Sequence, residues 1–317
     1  MRRTALDMVY ELAREDERVV FIGSDLGAGT MDVFRDEMPD RFFMEGINEA
    51  NIIGMAAGMA MDGLIPFVNT IATFLTRRCY EQVAVDLCLH NLPVKLIANG
   101  GGMVYAPLGP THIALEDMAI MRALPNMSVF APSDKEEMRK LIPATMEVRG
   151  PSYIRLAKGG DEVISNDHDG FEIGRAIEYR EGGDVTFITT GIMTNRAMAA
   201  SDELKAEGIN ASVLHIHTVK PLDENAIMKA ARRASLIVVA EEHSRIGGLS
   251  SAVTDLLAGT FGAGGPQILS LSVPDVFTDK YGSQDDLLEI YGLQPSQLAQ
   301  SVRDAVSSAS PVSAVGG

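Results

Sequence analysis

Phe42-Phe-Met-Glu-Gly-Ile-Asn-Glu-Ala-Asn-Ile-Ile-Gly-Met-Ala-Ala-Gly-Met-Ala60 is an apolar helix of small residues entered by a carboxylate, Glu49. Burying an unpaired acid costs several kcal/mol or forces it neutral, so Glu49 adds nothing to a core unless another group meets it. A ring nitrogen of a bound ligand is the natural partner. The plainer reading is an acid attracted to a helix N-terminus, an effect worth about 0.3–1 kcal/mol.

Outward from this stretch, strands and helices alternate. An amphipathic helix over 3–14 precedes an apolar strand, Arg18 to Gly23; the helix 48–61 is followed by a strand over 64–69. A helix opened by Thr76 closes before Pro93, Pro93 to Ala98 is a buried strand, and 112–123 is a helix. Ser128 to Ala131 is a strand, Ser133-Asp-Lys-Glu136 is a capping box for a helix ending near Val148, and Tyr153 to Leu156 closes this half. The stretch after Gly159 turns rich in Asp, Gly and Glu. A second unit follows, with strands at 184–190, 211–216, 236–240 and 267–273 and helices between and after them. Such alternation implies α/β architecture, two doubly wound domains each with a mostly parallel sheet. The expected division is 1–160, a linker over 161–183, a second domain over 184–306, and a disordered tail over 307–317.

Composition narrows the function. A chain of 317 residues, 46% apolar, can bury two cores. With 43 acidic against 27 basic residues and a net charge of −16, it has no basic block, so neither nucleic acid nor an anionic membrane is an expected partner. Cys79 and Cys88 lie on one helical pattern about 13 Å apart, too far to bridge, which fits a cytoplasmic protein. Asp7 and Glu11 interrupt the first apolar residues, so no signal peptide is expected, and four glycines and two prolines make Leu96 to Leu115 a loop rather than a membrane span.

Four blocks in order carry a family likeness: Gly46-Ile-Asn-Glu49, Ala72-Thr-Phe-Leu-Thr-Arg-Arg-Cys-Tyr-Glu-Gln82, Leu108-Gly-Pro-Thr-His112 and Ala123-Leu-Pro-Asn126. With Lys220-Pro-Leu-Asp223 and Glu241-Glu-His243, they resemble the C-terminal half of transketolase over residues 3–306. The resemblance implies a thiamine-diphosphate pyrimidine-binding domain followed by a transketolase C-terminal domain. The Gly-Asp-Gly motif that holds the diphosphate and Mg²⁺ in that family is absent here, since Asp169-Gly170 and Gly183-Asp184 lack its pattern. A partner chain, an N-terminal transketolase subunit with the diphosphate-binding domain, is then implied, in a dimer of heterodimers. Both cofactors, thiamine diphosphate and Mg²⁺, would be anchored mainly by that partner, and no metal ligands are expected in this chain.

On this resemblance Glu49 is the catalytic acid that hydrogen-bonds the cofactor's pyrimidine nitrogen, and Phe74 is the ring that stacks on it. His112 is the second catalytic residue, the histidine that faces the donor, and Arg77, Arg78 and Lys158 are further substrate contacts. The implied activity moves a two-carbon ketol unit from a ketose, or its phosphate, to an aldose. The β subunit of a 2-oxo acid dehydrogenase or a decarboxylating acyloin synthase shares the fold, and a non-catalytic regulatory subunit is a further alternative. Departures bear on the substrate. Gly100 replaces a histidine of the family and Leu108 an aspartate, Lys158 stands for an arginine, and Ile113 replaces a histidine of many split transketolases. His215 and His217 share a strand face without a third ligand nearby, and His243, beside Gly247-Gly248, reads as a domain contact.

Overall fold

A computed structural model describes residues 1–24, 29–157, 159–160 and 162–309. The first half runs α1 (Arg2–Glu15), β1 (Val19–Gly23), α2 (Asp32–Glu37), β2 (Phe42–Met44), α3 (Glu49–Met61), β3 (Ile65–Ile71), α4 (Ala72–Thr76) and α5 (Tyr80–Gln82). A π-helical turn, Val83–Leu89, then leads to β4 (Lys95–Asn99), α6 (Asp117–Ala123), β5 (Ser128–Phe130), α7 (Lys135–Ala144) and β6 (Ser152–Leu156). The second half is β7 (Ile177–Arg180), β8 (Val185–Thr189), α8 (Met193–Ala206), β9 (Ala211–His215), β10 (Thr218–Lys220), α9 (Glu224–Arg233) and β11 (Leu236–Ser244). It ends with α10 (Leu249–Phe261), β12 (Gln267–Val273), α11 (Gln284–Ile290) and α12 (Pro295–Ala309).

Two sheets form, ordered β10-β5-β6-β4-β3-β1-β2 and β12-β11-β8-β9-β7. All pairs are parallel except β10 on β5 and β7 on β9. The central strands β1, β4 and β6 are buried at every position, as sheets covered by helices on both faces require. One apolar cluster joins the halves, running from Ala5 and Phe21 through Phe130 and Ile154 to Phe187 and Leu204.

Several sequence expectations are corrected. Within 161–183 a strand, β7, pairs antiparallel with β9, and β10 from the second half adds an edge to the first sheet. Thr76 ends a helix instead of opening one. Its hydroxyl returns to the Ala72 carbonyl, and the Cys79 thiol takes up the carbonyls of Phe74 and Leu75, so the helix is interrupted at 77–79. The helix expected from 112 starts at Asp117, because Ala114 instead forms a bridge with Gly102. Residues 307–309 continue α12, and 310–317 lie outside the described residues.

The capping box is shifted by one residue. Asp134 accepts the N–H groups of Glu136 and Glu137 at 2.9 and 3.0 Å, while Glu137 reaches back to the Ser133 N–H at 2.6 Å. Asp134 also accepts from Ile164 and Ser165, tying the segment after β6 to α7. Glu137 meets His215 Nε2 at 2.9 Å across the domain boundary. Burial alone would raise the Asp134 pKa, but hydrogen bonds from Ser165, Glu137 and Ile164 hold the carboxyl below its ordinary value. Such a group stabilises the fold above its unfolded pKa of about 3.9, and the contribution is lost as pH falls through the lower folded value. Asp134→Ala should lower the unfolding free energy by about 2 kcal/mol at pH 7 in urea melts, with the gap to wild type closing below about pH 4.

Candidate active site

The carboxyl ends of parallel strands gather at one edge of the first sheet, the place where open α/β sheets bind ligands. β2 leads through Gly46, at φ +71°, into α3, which Glu49 begins; β3 leads directly into α4, and β4 into the loop from Gly100. The chain therefore brings Glu49, Phe74, Arg78 and His112 together from three different connections.

Glu49 is 1% exposed. Its Oε2 accepts Arg78 Nη1 at 2.8 Å, while Oε1 is buried without a hydrogen-bond partner. An unsatisfied buried acceptor costs about 1–3 kcal/mol, more for a charged group, so the site carries an unfilled demand for a donor. The Arg78 guanidinium also lies 3.9 Å over the Phe74 ring centroid, a cation–π contact on a half-buried ring. Phe74 meets His112 edge-on at 5.3 Å, and Tyr105 meets His112 in the same manner at 6.4 Å. His112 Nδ1 is 2.8 Å from the Thr111 hydroxyl. Burial, with the charge of Glu49 adding to it, pushes the Cys79 thiol up to about 12, so no thiolate is at hand beside the acid.

The other expected contacts fare differently. Arg77 bonds Glu116 through both Nε and Nη2, and the carbonyls of Pro110 and Ile113, each at 2.9 Å, through Nη1 and Nη2. That leaves one of its five donors, and the residue reads as the brace of the 110–116 loop more than as a ligand contact. Ile113 is 2% exposed in the apolar cluster, so its side chain faces the core and not the site. Lys158 lies outside the described residues, as do residues 25–28.

Some features around the site were not legible in the sequence, among them the setting of Gly100. Thr73 Oγ1, one residue before Phe74, is a second buried polar atom with no partner. Gly100, at φ +73°, leaves the space that the Tyr105 ring fills, so an aromatic ring occupies the place where a side chain at 100 would project. Arg155 on β6 pairs with Asp117 at 2.9 Å and Tyr153 donates to the same oxygen at 2.8 Å; a charged residue inside a fully buried strand was the available signal.

This sheet edge thus carries an aromatic ring beside a buried acid with one oxygen lacking a donor. Two family models match the chain: the transketolase pyrimidine binding domain over residues 1–160 and the transketolase C-terminal domain over residues 174–298. The chain belongs to the transketolase family. It is 38% identical over 306 residues to the 6-deoxy-6-sulfo-D-fructose transketolase subunit SqwH of Clostridium sp. (strain MSTE9), covering 96% of this chain and 94% of that protein. A putative transketolase C-terminal section of Methanocaldococcus jannaschii is 35% identical over 96% of this chain and 95% of its own length. A solved structure described as a split gene transketolase, inactive beta4 tetramer, matches with a TM-score of 0.88 at 37% identity, over 96% of this chain and 98% of that one.

Transketolase-family proteins bind thiamine diphosphate, and the residues at this edge fit its aminopyrimidine: Glu49 Oε1 lacks a donor, and Phe74 offers a ring face once Arg78 leaves it. Among the described residues, no cluster of three or more His, Cys, Asp or Glu could hold a metal ion, and no helix is long and apolar enough to cross a membrane.

The two members of the Glu49–Arg78 pair should respond oppositely to mutation when no ligand is present. Glu49→Gln removes a buried charge and should leave stability unchanged or raise it by about 1 kcal/mol, whereas Arg78→Ala strands the carboxylate and should cost about 1–3 kcal/mol. Thermal and urea melts of the two variants check the opposite signs.

Proposed function

We propose that this chain is one subunit of a two-chain, thiamine diphosphate-dependent transketolase, moving a two-carbon ketol unit from a ketose or its phosphate to an aldose or its phosphate. The observation that carries the reading is the orphaned Oε1 of Glu49, a buried acceptor that a protonated aminopyrimidine ring nitrogen would satisfy. Bound thiamine diphosphate supplies a carbon nucleophile able to hold the electron pair released when the donor's C–C bond breaks.

Glu49 holds a proton against the pyrimidine nitrogen from a dry setting, where a hydrogen bond to a charged group is strong. Phe74 gives its face to the ring. Arg78, with its side chain 44% exposed, swings off that face toward solvent and becomes available to an anionic group of the substrate. His112 hydrogen-bonds donor oxygens, Lys158 adds positive charge without the bidentate fork of an arginine, and the last free donor of Arg77 can join them. With Tyr105 filling the space at Gly100 and Leu108 exposed at 52%, the lip that meets the far end of the donor is more apolar than the family pattern implies. The donor is therefore a ketose that need not be xylulose 5-phosphate.

A partner subunit bearing the diphosphate-binding domain holds the diphosphate and Mg²⁺, and the assembly is a dimer of heterodimers. Two relatives support the arrangement, since one is described as a transketolase subunit and one as a split gene transketolase. A cytoplasmic setting is in keeping with two free, buried cysteines.

The chain alone should bind thiamine diphosphate negligibly. Co-purified with a partner chain carrying Gly-Asp-Gly, it should transfer ketol units from ketoses and not decarboxylate pyruvate, and Glu49→Gln should lower turnover roughly 10²–10⁴-fold. Turnover of pyruvate but not of ketoses would overturn the reading, as would full activity of Glu49→Gln in a coupled aldose assay.

A further inference from the structure

We propose that the second domain positions the substrate side of the site: Glu242 on β11, assisted by Gln284 at the start of α11, sets the placement of loop 100–112 and through it of His112. The proposal rests on the reading of His112 as a donor contact. The Glu242 carboxylate is 2% exposed and accepts the Met103 backbone N–H at 2.8 Å and the Gln284 side-chain amide at 2.7 Å. Gly102 has φ +66°, and a Cβ there would run into that carboxyl group, so the loop can settle on Glu242 only with glycine at this place. A Cβ on Gly101 would likewise strike Arg155. Arg155 Nη2 in turn donates to the Glu242 carbonyl at 2.8 Å and to the Ala114 carbonyl at 3.0 Å, and Ala114 bridges back to Gly102.

From this anchor the loop runs to Tyr105, whose ring meets His112. At its far end Tyr281 of the second domain closes over Gly109, where a Cβ would come within 2.7 Å of the tyrosine ring. The Ser244 N–H donates to the Leu115 carbonyl at 2.7 Å, and the Ala119 N–H donates to His243 Nε2 at 3.3 Å. The loop that carries His112 is thus fixed at both ends by a domain that contributes none of the other candidate site residues. A buried carboxylate is an expensive way to fill that space, and burial raises its pKa; the charge of Arg155 and the Gln284 and Met103 donors work against that rise, the last only while the loop is in place. Glu242 touches no reacting atom in this account and is a positioning residue.

In the complex with its partner, Glu242→Ala should raise KM for the ketose donor about tenfold or more, with a smaller change in kcat and with thiamine diphosphate affinity held within about twofold. Glu242→Gln, which still accepts the Met103 N–H, should restore most of the loss. Gln284→Ala, at a half-buried position, should give a smaller KM rise in the same direction. Independently of turnover, amide exchange over residues 100–112 should quicken about tenfold in Glu242→Ala and return toward wild type in Glu242→Gln. Unchanged loop exchange in Glu242→Ala overturns the proposal, and so does a parallel fall of kcat, ketose affinity and cofactor affinity in both alanine variants. If loop exchange responds as expected while the wild-type complex turns over no ketose, the positioning role stands and the functional reading fails instead.

Discussion

Glu49 is a carboxylate with half of its hydrogen bonds, and the candidate site is built around keeping it that way. An acid at the start of an apolar helix gains from the helix dipole, but one oxygen is left without a donor, which in a finished core would be a fault. The compensation is Arg78, which reaches in from solvent and lies across Phe74 while doing so. One guanidinium therefore covers both surfaces that a heterocycle would use. On the proposed reading, the arginine and the ligand would compete for the same carboxylate and the same ring face. Burial first, and the charge of Glu49 second, keep the Cys79 thiol neutral beside it.

A second constraint is the bond between domains. The boundary is crossed by a continuous apolar cluster and by polar pairs, Glu137 with His215 and Arg155 with the Glu242 carbonyl. Buried charges of this sort contribute little net stability but penalise any shift in relative placement, because a displaced partner leaves an uncompensated ion. Consecutive residues on β11 divide the labour. Glu241 caps α10 through the N–H groups of Leu249 and Ser250, Glu242 reaches loop 100–112, and His243 reaches α6.

Much of the fold could be read from the chain, because strands of parallel sheets are buried on both faces and appear as short apolar runs; β12 has the expected limits, and β1, β4 and β8 differ by a residue or two. β2, β7 and β10 escaped because they are edge strands of three or four residues, held by long-range pairing rather than by their own pattern. The break between α4 and α5 escaped for a similar reason, since side-chain groups of Thr76 and Cys79 capture carbonyls that a continuing helix would use. At the site, the residues read from local motifs, Glu49, Phe74, Arg78 and His112, do come together. The bracing of Arg77 by Glu116 was not legible because that partner lies far along the chain, nor was the direction of Ile113, since nothing local tells which way a loop side chain faces. Glu242 stood inside a block that carries the family likeness, but its contact was not legible there, since it depends on an N–H more than a hundred residues away.

The return of β10 to the first sheet makes the two domains less separable than their sequence suggests. The segment leaves the second sheet after β9, lends three residues to β5, and goes back through α9. A cut anywhere in the intervening stretch would uncover the β5 edge, a ready template for aggregation, and would remove the Lys220 ammonium from the carbonyls of Arg122 and Leu124. The interlaced topology thus binds the two sheets into one unit of assembly, so that a cut between them leaves neither whole.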